Sequence, residues 1–184
     1  MNTGSLLHAL KLLFSHCSNS ITYYVVAADE LPHVVKYEKL PIAIIQNTHP
    51  ISRKGEHWVA HYIPNKNECE WFDSYGAHIS MYPSILTPKI QITRENCNIL
   101  QGPGSYECGG FCLMFLYSRV IGIDYNRFLN QFSYSGKRND VIVKKFMSNL
   151  PRLDCKNTYF YNGKIQKNKC RGMCPDLMRK MSGK

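Results

Sequence analysis

The chain has no apolar run of about 18 residues or more, the length that a membrane-spanning helix needs. Its first apolar stretch, LLHALKLLFS, is interrupted by His8 and Lys11 and has no basic region before it, unlike a signal peptide. Internal repeats and low-complexity tracts are also missing. With 184 residues, of which 44% are hydrophobic, the chain is predicted to form one compact domain that is neither secreted nor bound to a membrane.

A clean metal-binding pattern of cysteines is missing as well. Eight cysteines are scattered at irregular spacings, and the chain is too long for a small disulfide-stabilised scaffold. Cys155, Cys170 and Cys174 cluster near the end, but no second close pair completes a zinc-binding set. We therefore expect mostly reduced thiols and predict no metal site.

Acidic residues are scarce in the last quarter of the chain. Residues 137–184 contain 13 Lys and Arg against 3 Asp, whereas residues 1–136 contain 10 basic and 10 acidic side chains. The net charge of +10 therefore lies in the last quarter. This excess predicts binding to a polyanion such as DNA, or to an acidic protein surface. A basic face that only aids solubility would give the same pattern.

Hydrophobic periodicity predicts both helices and strands. We expect helices over residues 5–16, about 109–121 and 139–150, and strands within 39–48, 57–64, 68–76 and 88–96. The second and third strands flank a Pro-Asn-Lys-Asn turn and should form an antiparallel hairpin. Asn162-Gly163 predicts another hairpin near the end. We expect one domain over residues 1–154, with residues 155–184 forming a basic hairpin or tail docked on it.

Cys108 begins the stretch CGGFCLMFLYSRVIGI, which has almost no polar face and therefore predicts a buried helix. A helix N-terminus lowers the pKa of a thiol, because its unpaired N–H groups and positive dipole stabilise the thiolate. Gly109 and Gly110 lack side chains, which would let a substrate backbone approach the sulfur. Taken alone, however, Cys108 is better explained as a buried structural cysteine, so a nearby base is required.

His57 and Asp73 are the candidates for that base and its partner. His57 opens one strand of the predicted hairpin, and Asp73 ends the other, so the two ends should be adjacent and the carboxylate could orient the imidazole. Gln101, seven residues before Cys108, could donate its amide to the oxyanion of a tetrahedral intermediate. Trp58, next to His57, is placed with Gly109 and Gly110 among the predicted substrate-binding residues.

Three segments together resemble a known family. GEHWVAHYIP, CEWFDSYG and LQGPGSYECGGFCLMFL, in this order, resemble the motifs of the adenovirus maturation protease family (adenain), and the similarity covers roughly residues 25–120. Two departures are visible: Asp73 stands where the adenovirus enzymes mostly have Glu, and the C-terminal quarter does not align.

The resemblance implies an α+β fold of the papain-like and ubiquitin-like-protease kind, with a central mixed β-sheet and a buried helix that carries the nucleophile at its N-terminus. It implies His57 as general base, Asp73 as its orienting partner, Cys108 as nucleophile and Gln101 in the oxyanion hole. In that family a short basic peptide and DNA assist the enzyme, so we expect an activating peptide or DNA as a partner. For the chemistry itself we expect no cofactor. The basic tail could act as a built-in activator or as a DNA tether.

The predicted function is a viral cysteine endopeptidase that cleaves precursor proteins at Gly-containing sites during virion maturation, in the virion and the host nucleus. The alternative is a deconjugase that removes ubiquitin-like modifiers after Gly-Gly. A third reading is a basic nucleic-acid binder on an inactive protease scaffold. The presence of His57, Asp73, Gln101 and Cys108 together favours an enzyme.

Overall fold

A computed structural model describes residues 1–15, 21–31, 39–153 and 158–167. The helices are α1 (Thr3–Phe14), α2 (Cys108–Val120), α3 (Tyr125–Leu129) and α4 (Gly136–Ser148). The strands are β1 (Thr22–Val26), β2 (Ile42–Asn47), β3 (Trp58–Asn65), β4 (Glu68–Phe72), β5 (Ile92–Arg94), β6 (Thr158–Tyr161) and β7 (Lys164–Lys167). Within those ranges, no helix combines the length and the apolar character that crossing a membrane requires.

The first five strands form one sheet in the order β1-β2-β3-β4-β5. The two outer pairs, β1 with β2 and β4 with β5, are parallel, whereas β2-β3 and β3-β4 are antiparallel. The sheet is therefore mixed, and with its flanking helices it confirms the predicted α+β class. The predicted hairpin of β3 and β4 is confirmed too. It places the start of β3 beside the end of β4.

Helix α2 lies at the centre of the molecule. Eleven of its 13 residues are buried, as its lack of a polar face predicts. It packs against the face of β3 that carries Trp58, Ala60 and Tyr62, within one continuous hydrophobic core. Phe115 of α2 stacks on Phe72 of β4 with ring centroids 4.8 Å apart. This packing fixes the N-terminus of α2 relative to the ends of β3 and β4.

An ion pair fixes the other end of α2. Arg119 in the last turn binds both carboxylate oxygens of Glu70 on β4, at 2.6 and 2.9 Å. Its guanidinium also lies 5.6 Å from the ring centre of Tyr62 and donates to the carbonyl oxygen of Ile123. A paired, two-pronged contact of this kind sets the orientation of the helix on the sheet.

The opposite face of β3 is also buried, and His61 lies on it. His61 is fully buried and bonds the side-chain oxygen of Gln46 through Nε2 at 2.8 Å. Burial lowers the pKa of His61 to about 3, so the ring is neutral at physiological pH. Its edge meets Trp71 at 5.0 Å between centroids. His61 is therefore part of the core, although the predicted strand over 57–64 placed it on the same face as His57, which lies just before β3.

Several boundaries differ from the sequence prediction. Helix α1 begins at Thr3 and α4 at Gly136, two and three residues before the predicted starts, while β5 is shorter than expected. Strand β1 and helix α3 were not predicted. The segment TYYVV has strand-forming residues but depends on β2 for its hydrogen bonds. Helix α3 spans only five residues and is capped by Asp124, which accepts from the N–H groups of Asn126 and Arg127.

The predicted C-terminal hairpin is present as β6 and β7, which form their own two-stranded sheet. Its turn, Asn162-Gly163, has positive φ at both residues, +49° and +72°, as such hairpins require. Phe160 is buried in the main core, 5.5 Å from the ring of Phe146 on α4. Residues 154–157 and 168–184 lie outside the described ranges, so the division into domain and tail stays a prediction.

Candidate active site

The turn after β4 fixes the position of the Asp73 side chain. Asp73 Oδ1 accepts from the N–H of Tyr75 at 2.9 Å, and the Asp73 carbonyl accepts from the N–H of Gly76 at 2.9 Å. An aspartate that binds the backbone two residues ahead is typical of a tight turn. Gly76 has a φ of +65°, and a Cβ there would come within 2.7 Å of the backbone of Cys97 and Asn98. The side chain of Asp73 is therefore fixed before any partner binds.

His57 Nε2 lies 2.7 Å from Asp73 Oδ1, and both residues are buried. Burial alone would lower the pKa of His57, but the hydrogen bonds to Asp73 and Cys108 raise it to about 9. The same bond to His57 holds the pKa of Asp73 below its ordinary value, despite burial. The hydrogen bond to the Asp73 carboxylate thus stabilises the imidazolium form of His57.

Cys108 is the first residue of α2, and its side chain meets His57. Because Nε2 of His57 is bonded to Asp73, Nδ1 is the ring nitrogen left for the sulfur. Burial would raise the pKa of Cys108, but the hydrogen bond from His57 and the N–H groups of Trp58 and Gly109 lower it below the ordinary value. The arrangement favours a thiolate beside an imidazolium.

The other buried thiols have the opposite character. The described residues contain four free cysteines, namely Cys69, Cys97, Cys108 and Cys112. Burial raises the pKa of Cys69 to about 12 and that of Cys112 well above its ordinary value. The Cys112 thiol donates to the carbonyl oxygen of Trp58 at 3.3 Å, which makes it a structural contact of α2 with β3. Among these buried thiols, Cys108 alone has a lowered pKa.

Gln101 is buried, and its side-chain amide is oriented by three contacts. Ser74 Oγ donates to Oε1 at 2.7 Å, while Nε2 donates to the carbonyl oxygen of Ser105 at 2.7 Å and to the hydroxyl of Tyr75 at 3.3 Å. Tyr75 in turn lies over His57, with ring centroids 4.7 Å apart. Both hydrogens of the Gln101 amide are therefore engaged, one of them by the hydroxyl of the tyrosine whose ring lies against His57.

A protein named "Protease" from human adenovirus B serotype 3 is 32% identical to this chain in an alignment of 115 residues, and the match covers 53% of this chain and 54% of that protein. The chain is similar to an adenovirus protease. This similarity confirms the resemblance predicted from the three motifs. The chain spans about half the length of this adenovirus relative. No family model matches the chain.

Gly109 and Gly110 have a packing role that the sequence did not suggest. A Cβ on Gly109 would lie 3.1 Å from a methyl group of Leu6 on α1, and a Cβ on Gly110 would lie 2.6 Å from a methyl group of Val143 on α4. The glycines therefore let two helices pack against the first turn of α2. Substrate binding by Gly109, Gly110 and Trp58 stays a prediction. Trp58 is buried, and its indole N–H donates to the carbonyl oxygen of Met1 at 3.2 Å.

Sequence reasoning missed two partners of Asp73. Tyr82 donates its hydroxyl to Oδ2 at 2.6 Å, beside the N–H of Ala77 at 3.2 Å. Asn96 binds the backbone of Asp73 on both sides, accepting from its N–H at 3.0 Å and donating to its carbonyl oxygen at 2.6 Å. No motif marks either residue, because each reaches Asp73 from a loop. Within the described ranges, no group of three His, Cys, Asp or Glu side chains could hold a metal ion. Cys155, Cys170 and Cys174 lie outside those ranges, so the expectation of no metal site stays a prediction.

Replacing Tyr82 with phenylalanine should change the pH dependence of activity. The hydroxyl bond helps to keep the pKa of Asp73 low, so its removal leaves a carboxylate that interacts more strongly with His57. We expect kcat/KM to fall about 3- to 10-fold, from the loss of one hydrogen bond to a charged group. The alkaline limb of the pH profile, set by His57 near pH 9, should move upward.

Tyr125→Phe is the matched control for this prediction. The Tyr125 hydroxyl also makes one buried bond, to the carbonyl oxygen of Trp71 at 2.6 Å. Its removal deletes the same atom away from Asp73, so it should leave the pH profile in place. An unchanged profile in Tyr82→Phe would show that the Tyr82 hydroxyl does not act on Asp73.

Proposed function

We propose that the chain is a viral cysteine endopeptidase with Cys108 as nucleophile, His57 as general base and Asp73 as its orienting partner. The observation that carries the proposal is the contact sequence Cys108, His57, Asp73 at the N-terminus of a buried helix. Similarity to an adenovirus protein named "Protease" supports it. We also propose that the α+β fold is of the papain-like and ubiquitin-like-protease kind.

The first half of the reaction uses the ion pair directly. The Cys108 thiolate attacks the scissile carbonyl carbon and forms a tetrahedral intermediate whose charge lies on the oxygen. N–H groups in the first turn of a helix have no partner within the helix, and Glu107 at the N-cap of α2 makes no side-chain capping bond to them. We propose that these N–H groups and Nε2 of Gln101 stabilise the oxyanion, which would replace the Tyr75 hydroxyl as an acceptor of Nε2.

In the second half of the reaction, His57 gives a proton to the leaving amine and takes one from water. As the C–N bond breaks, the His57 imidazolium gives its proton to the leaving amine, and an acyl thioester remains on Cys108. Neutral His57 then removes a proton from water, whose oxygen attacks the thioester. The C–S bond breaks, and the thiolate and imidazolium form again. Asp73 keeps the ring in the orientation that both proton transfers require.

The proposed substrates are viral precursor proteins, cut at Gly-containing sites during virion maturation in the virion and the host nucleus. DNA is the proposed second partner, bound through basic residues within 137–184. On helix α4 these include Lys137, Arg138, Lys144 and Lys145. The chemistry needs no cofactor beyond these side chains, and an activating peptide or DNA would act on the enzyme rather than on the bond.

Two substrates distinguish this proposal from its alternative. One is a short peptide with a Leu-x-Gly-Gly sequence, and the other is a ubiquitin-like modifier joined through Gly-Gly to a lysine by an isopeptide bond. We expect cleavage of the peptide after glycine and little release of the modifier, measured by mass spectrometry of the products. Release of the modifier without cleavage of the peptide would instead favour the deconjugase. Cleavage of neither substrate, with or without added DNA, would contradict both.

A further inference from the structure

Two adjacent residues of α4 hold the backbone on both sides of Gln101. Asn139 contacts Leu100, the residue before Gln101, and Asp140 contacts Gly102, the residue after it. Both side chains are buried, at 0% and 9% exposure. Neither residue belongs to the motifs recognised in the sequence. Helix α4 therefore contacts the main chain immediately before and after Gln101.

Asn139 uses its whole amide group. Nδ2 donates to the carbonyl oxygens of Leu100 and Ser133, at 2.9 and 2.8 Å, and Oδ1 accepts from the N–H of Ser133 at 2.9 Å. The Asn139 side chain therefore binds both Ser133, in the segment before α4, and Leu100, the residue before Gln101. A buried amide with its donors and acceptor engaged resists rotation, because any other orientation leaves buried groups unpaired.

Asp140 and Gly136 complete the contact with the next residue. Asp140 Oδ1 accepts from the N–H of Gly102 at 3.3 Å. A Cβ on Gly102 would come within 2.5 Å of Asp140 Oδ2, and a Cβ on Gly136 would come within 2.7 Å of the Gly102 backbone. Both glycines are needed for this close approach. The first turn of α4 is thus in direct backbone contact with the segment that carries Gln101.

We propose that Asn139 and Asp140 are positioning residues for the oxyanion donor. They fix the main chain on each side of Gln101, while Ser74 and Ser105 fix its side-chain amide, so the orientation of the amide is set before substrate arrives. The oxyanion would replace the Tyr75 hydroxyl, which is the longer of the two Nε2 contacts at 3.3 Å. A donor aimed in advance at the position of the oxyanion stabilises the transition state more than the bound substrate. The inference rests on the proposed function, in which Gln101 stabilises the oxyanion.

The test combines substitutions at Asn139 with one at Gln101. Asn139→Asp keeps the size and the accepting oxygen but removes the donor to Leu100 and Ser133. We expect kcat for a cleavable peptide to fall about 10- to 100-fold, with KM changed by about 2-fold or less, because the loss appears only in the transition state. Gln101→Ala should lower kcat on the order of 100-fold. Added to Gln101→Ala, Asn139→Asp should lower kcat by no more than about 3-fold.

Two readouts separate positioning from general damage. Alkylation of Cys108 by iodoacetamide forms no oxyanion, so its rate should be the same in Asn139→Asp as in the natural chain. Val141→Ala, an exposed change on the same helix, is the control and should leave kcat unaltered. If Asn139→Asp does not fold, Asp140→Ala replaces it in the test, and its kcat should fall by the same factor. Asp140→Asn keeps an oxygen that can accept from the N–H of Gly102, so its kcat should be close to that of the natural chain.

The outcomes are distinguishable. Normal kcat in Asn139→Asp and Asp140→Ala, beside a slow Gln101→Ala, would overturn the inference and leave the proposed function intact. Fully additive losses in the double variant would also overturn it, because the α4 residues would then act on something other than Gln101. A natural chain that cleaves no peptide would overturn the proposed function and this inference with it.

Discussion

Replacing Cys108 with alanine should reduce peptide hydrolysis by roughly five to six orders of magnitude, to the limit of detection. The nucleophile would be gone, and the other two buried thiols of the described residues are poor replacements, since burial raises the pKa of both Cys69 and Cys112. The oxyanion donors alone leave only weak catalysis. The measurement is a single-turnover assay with enzyme in excess over a Leu-x-Gly-Gly peptide.

Two cysteine variants serve as controls for this result. Cys97→Ser removes an exposed thiol, and Cys112→Ala removes a buried thiol one turn along the same helix. Cys97→Ser should retain its turnover. Cys112→Ala should lose stability, because it empties space in the core and removes the bond to Trp58, but it should still cleave when folded. Hydrolysis by folded Cys108→Ala at the rate of the natural chain would end the cysteine mechanism.

Replacing His57 with alanine has the second largest expected effect, on the order of a 10⁴-fold fall in kcat. This loss would combine two failures. The thiol loses the hydrogen bond that keeps its pKa low, so less thiolate is present at neutral pH. The leaving amine and the attacking water also lose their proton donor and acceptor. Added imidazole should restore part of the rate if the cavity left by the side chain admits it.

The pH dependence separates these two failures. In the natural chain the ion pair exists above the pKa of Cys108, which lies below that of an ordinary thiol, and below the pKa of His57 at about 9. Activity should therefore rise through the first value and fall near the second, both belonging to the coupled pair. In His57→Ala, alkylation of Cys108 should need the higher pH of an ordinary thiol. An identical alkylation profile in both proteins would mean that His57 does not set the ionisation of the sulfur.

Local sequence patterns predicted the elements that carry the site, since those elements are strongly patterned. The apolar run after Cys108 could only be a buried helix, and the turn between residues 64 and 67 required a hairpin that brings the neighbourhoods of His57 and Asp73 together. The papain-like and ubiquitin-like-protease type of fold, by contrast, was predicted only from the resemblance and stays a proposal. Strand β1 escaped notice because its place at the sheet edge depends on β2.

The supporting contacts could not be predicted for a different reason. Tyr82, Asn96 and Asn139 form hydrogen bonds to residues 9, 23 and 39 positions away, and such pairs leave no periodic trace in one sequence. The packing role of the glycines after Cys108 was missed for a similar reason. Their neighbours on α1 and α4 are distant in the sequence, and their predicted contact with a substrate backbone stays a prediction. Glycines next to a candidate nucleophile can therefore reflect helix packing as well as substrate binding.

The central claim is that Cys108 is ionised beside His57, and timed alkylation tests it most directly. The folded protein is treated with limiting iodoacetamide at about pH 6.5, where an ordinary thiol of pKa near 8.5 is about 1% ionised. The modified cysteines are then mapped by mass spectrometry. The account predicts that Cys108 is labelled before the exposed Cys97, despite being 7% exposed, and that this order reverses in His57→Ala. Labelling that follows exposure alone, with Cys97 first in the natural chain, would contradict it.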